Sequence, residues 1–366
     1  MTSVWRRVGL AVALIGLAPG GASAASQYIP PATTGTMPYA PPVQAPQSAQ
    51  RAPAYLQSRI TALGSDFNGR VGIAVRSVSD GWSVGWKADE LYPQQSVSKL
   101  WVAIAALDAA DKGKVRMDER VSLNRSDLTL FHQPIAAKIF KGGATMSLSE
   151  LMFQAITKSD NTCNDKLMRS VGGPAAVRAM IAEKRLGAIR FYDGERALQS
   201  KIAGLIWSQS YSVGGAFYQA RNALPYAARK SSFDRYVADP YDGASAAAIA
   251  NALARLKRGE LLSPASTARL LSVMGNTKTG ANRLKGGLKP GWTLSHKTGT
   301  GQVLGAVQAG YNDIGVLTAP DGRSYAVAVM IKRTSTPLGT RMTLMNNVVR
   351  AVINQHEMSR APAYTL

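Results

Sequence analysis

The stretch Ser96-Val-Ser-Lys-Leu-Trp-Val-Ala-Ile-Ala-Ala-Leu-Asp-Ala-Ala-Asp111 joins a candidate nucleophile to a strong helical pattern. Leu100 and Ile104 recur at the spacing of one helix face, which predicts a helix over the whole stretch. A serine hydroxyl attacks well only when a base lies within hydrogen-bonding reach, and Lys99 at i+3 shares the face of Ser96. Alone, this S-x-x-K pattern more often marks a helix start with a solvated lysine. Its meaning therefore depends on partners elsewhere in the chain.

Two further polar tripeptides supply such partners. Ser159-Asp-Asn161 lies between two predicted helices, where a loop aims polar side chains into a cleft, although these residue types are also common helix caps. Lys297-Thr298-Gly299 lies in a predicted strand. The lysine and threonine are suited to hold an anion, and the glycine permits close approach of a substrate backbone. Together with Ser96 and Lys99 these tripeptides predict one catalytic site.

Two other stretches resemble catalytic motifs and are set aside. Lys278-Thr-Gly280 repeats the lysine tripeptide but follows Gly275-Asn276, so a loop is predicted there. Gly81-Trp-Ser83-Val-Gly85 matches the G-x-S-x-G nucleophile elbow, which has to lead from a strand into a helix. The residues after Gly85 do not form a helical pattern, so Ser83 is not predicted to be the nucleophile.

The order of predicted elements indicates the fold class. Two strands lie early and three lie late, at Val71–Val78, Trp82–Trp86, Thr293–Gly301, Gly315–Thr318 and Tyr325–Arg333. Helical patterns lie before, between and after them, at Tyr55–Leu63, Ser149–Ile156, Asn161–Val171, Pro174–Lys184, Ala244–Arg258, Pro264–Met274 and Arg341–His356. This order predicts an α+β fold in which both chain ends form one antiparallel sheet and a helical lobe is inserted between them.

The ordered set S-x-x-K, S-D-N and K-T-G resembles class A β-lactamases and penicillin-binding proteins. From about Ala54 to His356 the chain is similar to a class A β-lactamase. The resemblance implies a β-lactamase/transpeptidase-like α/β sandwich, with a five-stranded sheet, helices on both faces and an all-helical lobe. It also implies hydrolysis of a β-lactam ring through an acyl-enzyme.

The resemblance implies a role for each matching residue. Ser96 attacks the lactam carbonyl and Lys99 helps to activate it, while Ser159 relays a proton to the leaving nitrogen. Asn161 binds the amide side chain of the substrate. Lys297 and Thr298, beside Gly299, bind the substrate carboxylate. The backbone N–H groups of Ser96 and Thr300 bind the oxyanion. Arg283 matches an arginine that some members use as a second carboxylate contact, but a surface cation is an equal alternative. Asn312-Asp-Ile314 resembles the family's pattern just before the next strand.

Deacylation is assigned to the segment Arg190-Phe-Tyr-Asp-Gly-Glu195-Arg-Ala-Leu-Gln199. The family's loop has a glutamate, then a proline, and an asparagine three residues after the proline. Here Glu195 supplies the general base and Gln199 an amide that could hold a water. Arg196 replaces the proline, and it would favour the ionised carboxylate if the two side chains meet. The alternative is that Glu195 is an ordinary surface acid.

The segment from about 200 to 242 has roughly 30 residues more than the short connection that class A β-lactamases have at this place. A loop of that length without secondary structure is uncommon, so the segment is expected to be folded or functional. It is rich in aromatic residues, which either pack the insertion onto the helical lobe or line an enlarged pocket: Trp207, Tyr211, Phe217, Tyr218, Tyr226, Phe233, Tyr236 and Tyr241. The only cysteine, Cys163, is predicted to be a small buried side chain, and no disulfide can form within the chain.

The N-terminal residues predict export. Residues 1–24 show a basic start, an apolar run and the Ala22-Ser-Ala24 cleavage pattern of a secretory signal, which predicts a periplasmic or secreted protein by the Sec or Tat route. Residues 25–53 are a proline-rich linker predicted to be disordered. The serine hydrolase domain is expected over 54–358, with a tail at 359–366.

The net charge of +21, of which +19 remains without the two arginines of residues 1–24, suits an anionic surface or peptidoglycan. No nucleic-acid motif, metal site or cofactor motif is present, and a monomer is expected. The leading hypothesis is an exported serine β-lactamase. The alternatives are a penicillin-binding D,D-peptidase acting on peptidoglycan peptides and a non-catalytic cell-wall-binding module.

Overall fold

A central antiparallel sheet dominates the computed structural model, which describes residues 51–360. Its strands run in the order β2-β1-β10-β9-β7, and the short strand β8 pairs with β9 beside this path. The strand bounds are β1 Arg70–Ser77, β2 Ser83–Trp86, β7 Thr293–Thr300, β8 Val303–Leu304, β9 Val307–Thr318 and β10 Ser324–Thr334. Strands from both ends of the chain therefore pair with each other, which confirms the five predicted strands, and the short strand β8 is a sixth strand that was not predicted.

Helices pack on both faces of this sheet, as predicted. Along β10, Val327 and Val329 face one side, whereas Ala326 and Ala328 face the other, because successive strand residues alternate in direction. The first face is covered by α1 (Ala54–Asp66) and α12 (Leu338–Met358), and the second face by α10 (Ala246–Lys257). Since both faces are buried, the strand sequences are nearly continuous apolar runs.

The strand β9 is longer than the sequence predicted. Asn312 and Asp313 were placed before a strand that begins at Gly315, but the strand begins at Val307 and includes both residues. Their side chains are fully buried and bonded to neighbouring segments, so they replace the apolar residues expected in a central strand. A pattern search for apolar runs ends at such polar residues and misses the first half of the strand.

The remaining helices form the lobe that lies between the early and late strands. Their bounds, with the two small accessory sheets, are α2 Lys99–Asp111, α3 Ala136–Phe140, α4 Leu148–Thr157, α5 Asn161–Ser170, α6 Gly173–Glu183, α11 Pro264–Gly275, β4 Arg120–Leu123 with β5 Ala144–Ser147, and β3 Leu91–Pro93 with β6 Gly243–Ser245. Residues of α2 from Lys99 to Asp108 are all buried. A helix that is buried all round lies at the centre of its lobe, and its first turn can support a site without moving.

The insertion is folded, as its length suggested. It begins in the last turn of α7 (Glu195–Ile202) and contains a 3-10 turn (Gln209–Ser212), α8 (Ala216–Ala223) and α9 (Tyr226–Ala238). Buried aromatic side chains attach these elements to the rest of the protein, among them Phe217, Phe233 and Tyr236.

Residues 1–50 and 361–366 lie outside the described part of the chain. The predicted signal segment, nearly all of the linker and most of the tail fall there. Among the described residues, no helix combines the length and apolarity needed to cross a bilayer. The same residues hold no group of three or more acidic, histidine or cysteine side chains arranged for a metal ion.

Candidate active site

The nucleophile candidate Ser96 lies just before α2 rather than inside it. Residues Gln95–Ser98 form a 3-10 turn, and the α-helix begins at Lys99, three residues later than predicted. Lys99 is 1% exposed, and its Nζ donates to Ser96 Oγ at 2.8 Å. Ser96 itself is half-buried, so its hydroxyl remains accessible from the cleft while its amine partner is enclosed.

Glu195 joins this pair from the other side of the cleft. Lys99 Nζ also donates to Glu195 Oε1, and both side chains are almost fully buried. Glu195 is therefore an enclosed acid in contact with the amine, which excludes the alternative of an ordinary surface carboxylate. A buried ion pair of this kind is costly to break, because removing either partner leaves an uncompensated charge. The amine thus links the Ser96 hydroxyl to the carboxylate.

Three residues near Ser96 have strained backbone conformations. Gln95, Phe131 and Ser159 have φ values of +54°, +59° and +59°, in the left-handed region that non-glycine residues rarely adopt. Such conformations cost on the order of 1–3 kcal/mol each and persist only where the surroundings enforce them, which occurs mostly at functional sites.

Ser159 and Lys297 meet on the side of the cleft formed by the sheet edge. Lys297 Nζ donates to Ser159 Oγ at 3.0 Å and to the carbonyl of Thr298 at 2.9 Å. Burial, with the nearby positive charge of Lys99, holds the pKa of Lys297 well below its usual range. A bound anion would supply the missing countercharge, so this amine is suited to receive a carboxylate.

The end of β7 is fixed by Arg283, which is 9% exposed and so is not a surface cation. Its guanidinium donates to the carbonyl of Gly299 at 3.0 Å, to that of Asn312 at 2.7 Å, and to Thr300 Oγ1 at 2.6 Å. Gly299 is required for a reason other than substrate approach: a Cβ there would lie 2.3 Å from the carbonyl oxygen of Gln94. The glycine therefore lets β7 pass close to the turn that carries Ser96.

The rejected tripeptide Lys278-Thr-Gly280 lies in a loop, as predicted, but it borders the site. Thr279 Oγ1 is 2.7 Å from Thr298 Oγ1. The elbow candidate Ser83 lies on the exposed edge strand β2, which does not lead into a helix.

Asn161 presents one free acceptor to the cleft. Its Nδ2 donates to the carbonyl of Leu130 at 2.8 Å, whereas its buried Oδ1 has no hydrogen-bond partner. Asp160, between the two polar residues of the motif, caps α5 and accepts from Cys163 N at 2.9 Å and Ile135 N at 2.7 Å. The cap fixes the helix start, and the asparagine oxygen is left for a substrate N–H.

Gln199 orients Glu195 from one turn further along α7. Its Nε2 donates to Glu195 Oε2 at 3.2 Å and to Gln95 Oε1 at 3.1 Å, and its Oε1 accepts from Gln302 Nε2 at 3.0 Å. Arg196, the replacement for the family's proline, does not meet Glu195. Its guanidinium donates to the carbonyl of Ser126 and lies 5.4 Å from the Trp207 ring centroid, so the glutamate has Lys99 as its cationic partner.

A model of the family described as "Beta-lactamase enzyme family" matches residues 55–356. The chain belongs to this family. Beta-lactamase VEB-1 of Pseudomonas aeruginosa is 25% identical over 289 residues, which cover 79% of this chain and 86% of that protein. Beta-lactamase CTX-M-25 of Escherichia coli is 29% identical over 285 residues, covering 77% and 82%.

Solved structures agree with the sequence relatives. A β-lactamase from Chitinophaga pinensis matches with a TM-score of 0.68 and 26% identity, covering 82% of this chain and 99% of that one. An ancestral class A β-lactamase matches with a TM-score of 0.63 and 29% identity, covering 82% and 99%. These findings confirm the predicted resemblance, the fold class and an enzyme of the class A β-lactamase type.

Two residues that sequence motifs did not identify support the β-lactamase site. Asp165, 1% exposed, accepts from the backbone N–H of Glu195 at 3.0 Å. Asp242 accepts from Gln95 N at 2.7 Å and from Tyr236 Oη at 2.9 Å. Burial raises the pKa of Asp242 to about 7. The only available signal was position: Asp165 is one helical turn after Asn161, and Asp242 ends the insertion.

The site opens into a cavity of about 430 Å³. Its lining contains five predicted site residues, namely Ser96, Asn161, Glu195, Gln199 and Thr300. Residues that were not predicted complete the lining, namely Phe131, His132, Tyr218, Arg221, Gly301, Gln302 and Val303. Tyr218 and Arg221 belong to α8, so the insertion both packs on the protein and lines the pocket.

Proposed function

We propose that this enzyme hydrolyses β-lactam antibiotics through an acyl-enzyme on Ser96. The observation that carries the proposal is the position of Lys99 Nζ, which contacts both Ser96 Oγ and Glu195. In the first step Lys99 gives a proton to Glu195 and takes the Ser96 proton, while Ser96 Oγ bonds to the lactam carbonyl carbon. The oxyanion that forms is stabilised by the N–H groups of Ser96 and Thr300.

Ring opening requires a proton on the departing nitrogen. Ser159 Oγ is placed to donate it, and Lys297 Nζ, 3.0 Å away, is placed to replace it. The same amine and the hydroxyl of Thr298 bind the substrate carboxylate, and the free Oδ1 of Asn161 accepts the N–H of the substrate's amide side chain. The products of this step are an ester on Ser96 and a free amine.

Deacylation is the role of Glu195. Glu195 first releases to solvent the proton that it took from Lys99, and Lys297 regains a proton from solvent. The Glu195 carboxylate then removes a proton from a water, and the resulting hydroxide attacks the ester carbonyl. The proton taken from the water passes through Lys99 to Ser96 Oγ as the acid leaves. Gln199 and Asp165 support this assignment because they hold the side chain and the backbone of Glu195. The departures from the family's loop at Arg196 and Gln199 are compatible with it, since neither residue displaces the carboxylate from Lys99.

Intact-protein mass spectrometry during turnover of benzylpenicillin tests both steps. We expect transient acylation of the parent, no adduct on Ser96→Ala, and an adduct that accumulates on Glu195→Gln. Glu183→Gln is the matched control, because Glu183 pairs with Lys112 on the surface, outside the site. A parent that accumulates a stable adduct would instead identify a penicillin-binding D,D-peptidase. Because Glu195 also receives a proton during acylation, the adduct on Glu195→Gln should form more slowly than on the parent. Turnover by Ser96→Ala at the rate of the parent would refute the acyl-enzyme on Ser96.

We also propose that the protein is exported and that residues 54–358 form the catalytic domain. The support is the signal pattern of residues 1–24 and the bounds of the folded elements, from Ala54 to Met358. N-terminal sequencing of protein from the periplasm or medium should find a mature chain that begins after Ala24. An uncleaved cytoplasmic chain would contradict the proposal.

A further inference from the structure

The cavity extends from Ser96 along the side where the substrate's acyl side chain has to lie. Its lining includes Asn161, Glu195 and Gln199, whereas Lys297 and Thr298, the proposed carboxylate contacts, are not part of it. A β-lactam held with its ring carboxylate at Lys297 and its amide at Asn161 directs the acyl side chain into this cavity. The residues at its far end therefore meet the part of the molecule that differs most between antibiotics.

Aromatic packing fixes α8 at that end. Phe217 is 2% exposed, and its ring lies 5.0 Å from that of Phe131 in an edge-to-face arrangement. Tyr218 lies 6.1 Å from Phe131, also measured between ring centroids. The residue before Phe131, Leu130, accepts the hydrogen bond of Asn161 through its carbonyl. The insertion is thus anchored to the same segment that positions the amide-binding residue, and its side chains are held at a defined place in the cavity.

Arg221 is the cation that α8 adds to the lining. Its guanidinium lies 6.0 Å from the ring centroid of Phe217 and 5.3 Å from that of Tyr218. Its Nε is buried without a hydrogen-bond partner. No carboxylate of the described residues lies within ion-pair distance of it, and Glu195, the acid of the cavity, pairs with Lys99. The side chain as a whole is only partly buried, but a buried donor without an acceptor is unfavourable, so an anionic ligand that accepts from this guanidinium gains free energy.

We propose that Arg221 is a specificity-determining residue that binds an anionic group on the acyl side chain of a β-lactam, and this proposal rests on the proposed function. A guanidinium pairs with a carboxylate or sulfonate in two parallel hydrogen bonds, which a neutral side chain cannot reproduce. Phe131 and Tyr218 line the same end and give an aromatic acyl group two rings to pack against.

Two penicillins that differ by one carboxylate provide the test. Carbenicillin is benzylpenicillin with a carboxylate on the side-chain carbon next to the amide. We expect Arg221→Gln to lower the ratio of kcat/KM for carbenicillin to kcat/KM for benzylpenicillin about tenfold, mainly through KM for carbenicillin. Arg221→Lys should retain part of the ratio, since it keeps the charge but loses the planar fork.

Arg229→Gln is the matched control. Arg229 also belongs to the insertion and also has a buried Nε without a partner, but it does not line the cavity. Its substitution should leave the ratio unchanged. Equal losses for both penicillins in Arg221→Gln, or the same shift in Arg229→Gln, would overturn the proposal by assigning Arg221 a structural role.

A parent that hydrolyses neither penicillin would refute the proposed function without deciding the role of Arg221. Calorimetric titration of the Ser96→Ala variant then decides it. Tighter binding of carbenicillin than of benzylpenicillin, about tenfold and lost in Ser96→Ala/Arg221→Gln, supports the proposal, and equal affinities overturn it.

Discussion

The cleft at Ser96 has two walls, and their side chains are positioned in different ways. The motif wall consists of residues 96–99, 159–161 and 297–300, and each part lies at the end of a regular element. The insertion wall consists of residues 195–242, that is α7 and the insertion that follows it, and the proposed general base Glu195 is held there by hydrogen bonds to residues distant in sequence, such as Lys99 and Asp165. Local spacing therefore identifies each part of the motif wall, whereas Glu195 in the insertion wall is positioned mainly by tertiary contacts.

Removing the nucleophile breaks the motif wall and should have the largest effect. Ser96→Ala should lower kcat for nitrocefin about 10⁵-fold or more, because the acyl-enzyme cannot form. Steady-state kinetics of the purified domain measure this change. Ser83→Ala is the control, since Ser83 lies exposed on β2, and its activity should equal that of the parent. A larger loss in Ser83→Ala than in Ser96→Ala would reverse the assignment of the nucleophile.

Removing Asp165 should weaken the support of Glu195 in the insertion wall. Asp165→Ala frees the backbone N–H of Glu195, and a shift of the carboxylate by about 1 Å costs on the order of 10²-fold in the step that it catalyses. We expect the deacylation rate to fall by about that factor while the acylation rate changes much less, as stopped-flow kinetics can resolve. Asp193→Ala, at an exposed position that pairs with Arg178, is the control. Equal losses in both rates would mean that Asp165 supports the whole site.

The pH dependence of stability tests the contact between the two walls, because Asp242 belongs to the insertion wall and accepts a hydrogen bond from Gln95, in the 3-10 turn that carries Ser96. Burial raises the pKa of Asp242 to about 7, so the folded state holds its proton more tightly than the unfolded chain. Its contribution to stability is complete below about pH 4 and is lost as the pH rises through about 7.

Asp242→Asn removes this titration. Between pH 5 and pH 7, the free energy of unfolding of the parent should fall relative to that of the variant, by at most about 1.4 kcal/mol per pH unit. Urea denaturation at several pH values measures the difference. Asp239→Asn, at an exposed site close in sequence, should show the slope of the parent. If the free energy of unfolding of Asp242→Asn changed with pH as it does in the parent, the pKa of Asp242 would not be raised in the folded state.

The smallest effect is expected at Cys163, which lies beside the motif wall but takes no part in it. Its side chain is fully buried, and burial raises the pKa of the thiol, so it should not react with thiol reagents in the folded protein. Cys163→Ala should cost about 1 kcal/mol of unfolding free energy and leave kcat unchanged. Rapid labelling of the native parent would show that this part of α5 opens.

The motif wall was largely predictable, because each of its three motifs is identified by residue types a few positions apart, although contacts such as that of Lys297 with Ser159 form only in the fold. Ser96 and Lys99, three residues apart, meet even though a 3-10 turn replaces the first helical turn. The insertion wall was only partly predictable. Glu195 could be aligned, but its contact with Lys99, 96 residues earlier, has no local signal, and neither does the turn of Arg196 toward Trp207.

The sequence by itself indicated the candidate nucleophile, its amine partner, the family and the order of the main strands and helices, because periodicity and motif spacing act over a few residues. Three features were visible only in the tertiary structure. These are the hydrogen bond of Asp165 to Glu195, the close approach of Gln94 that requires a glycine at position 299, and the position of Arg221 in the lining of the cavity. These features arise where segments far apart in sequence pack together, and burial then sets their hydrogen bonds and their charge. The insertion shows the difference most clearly, since its aromatic composition predicted a folded segment and packing alone placed its arginine beside the substrate cleft.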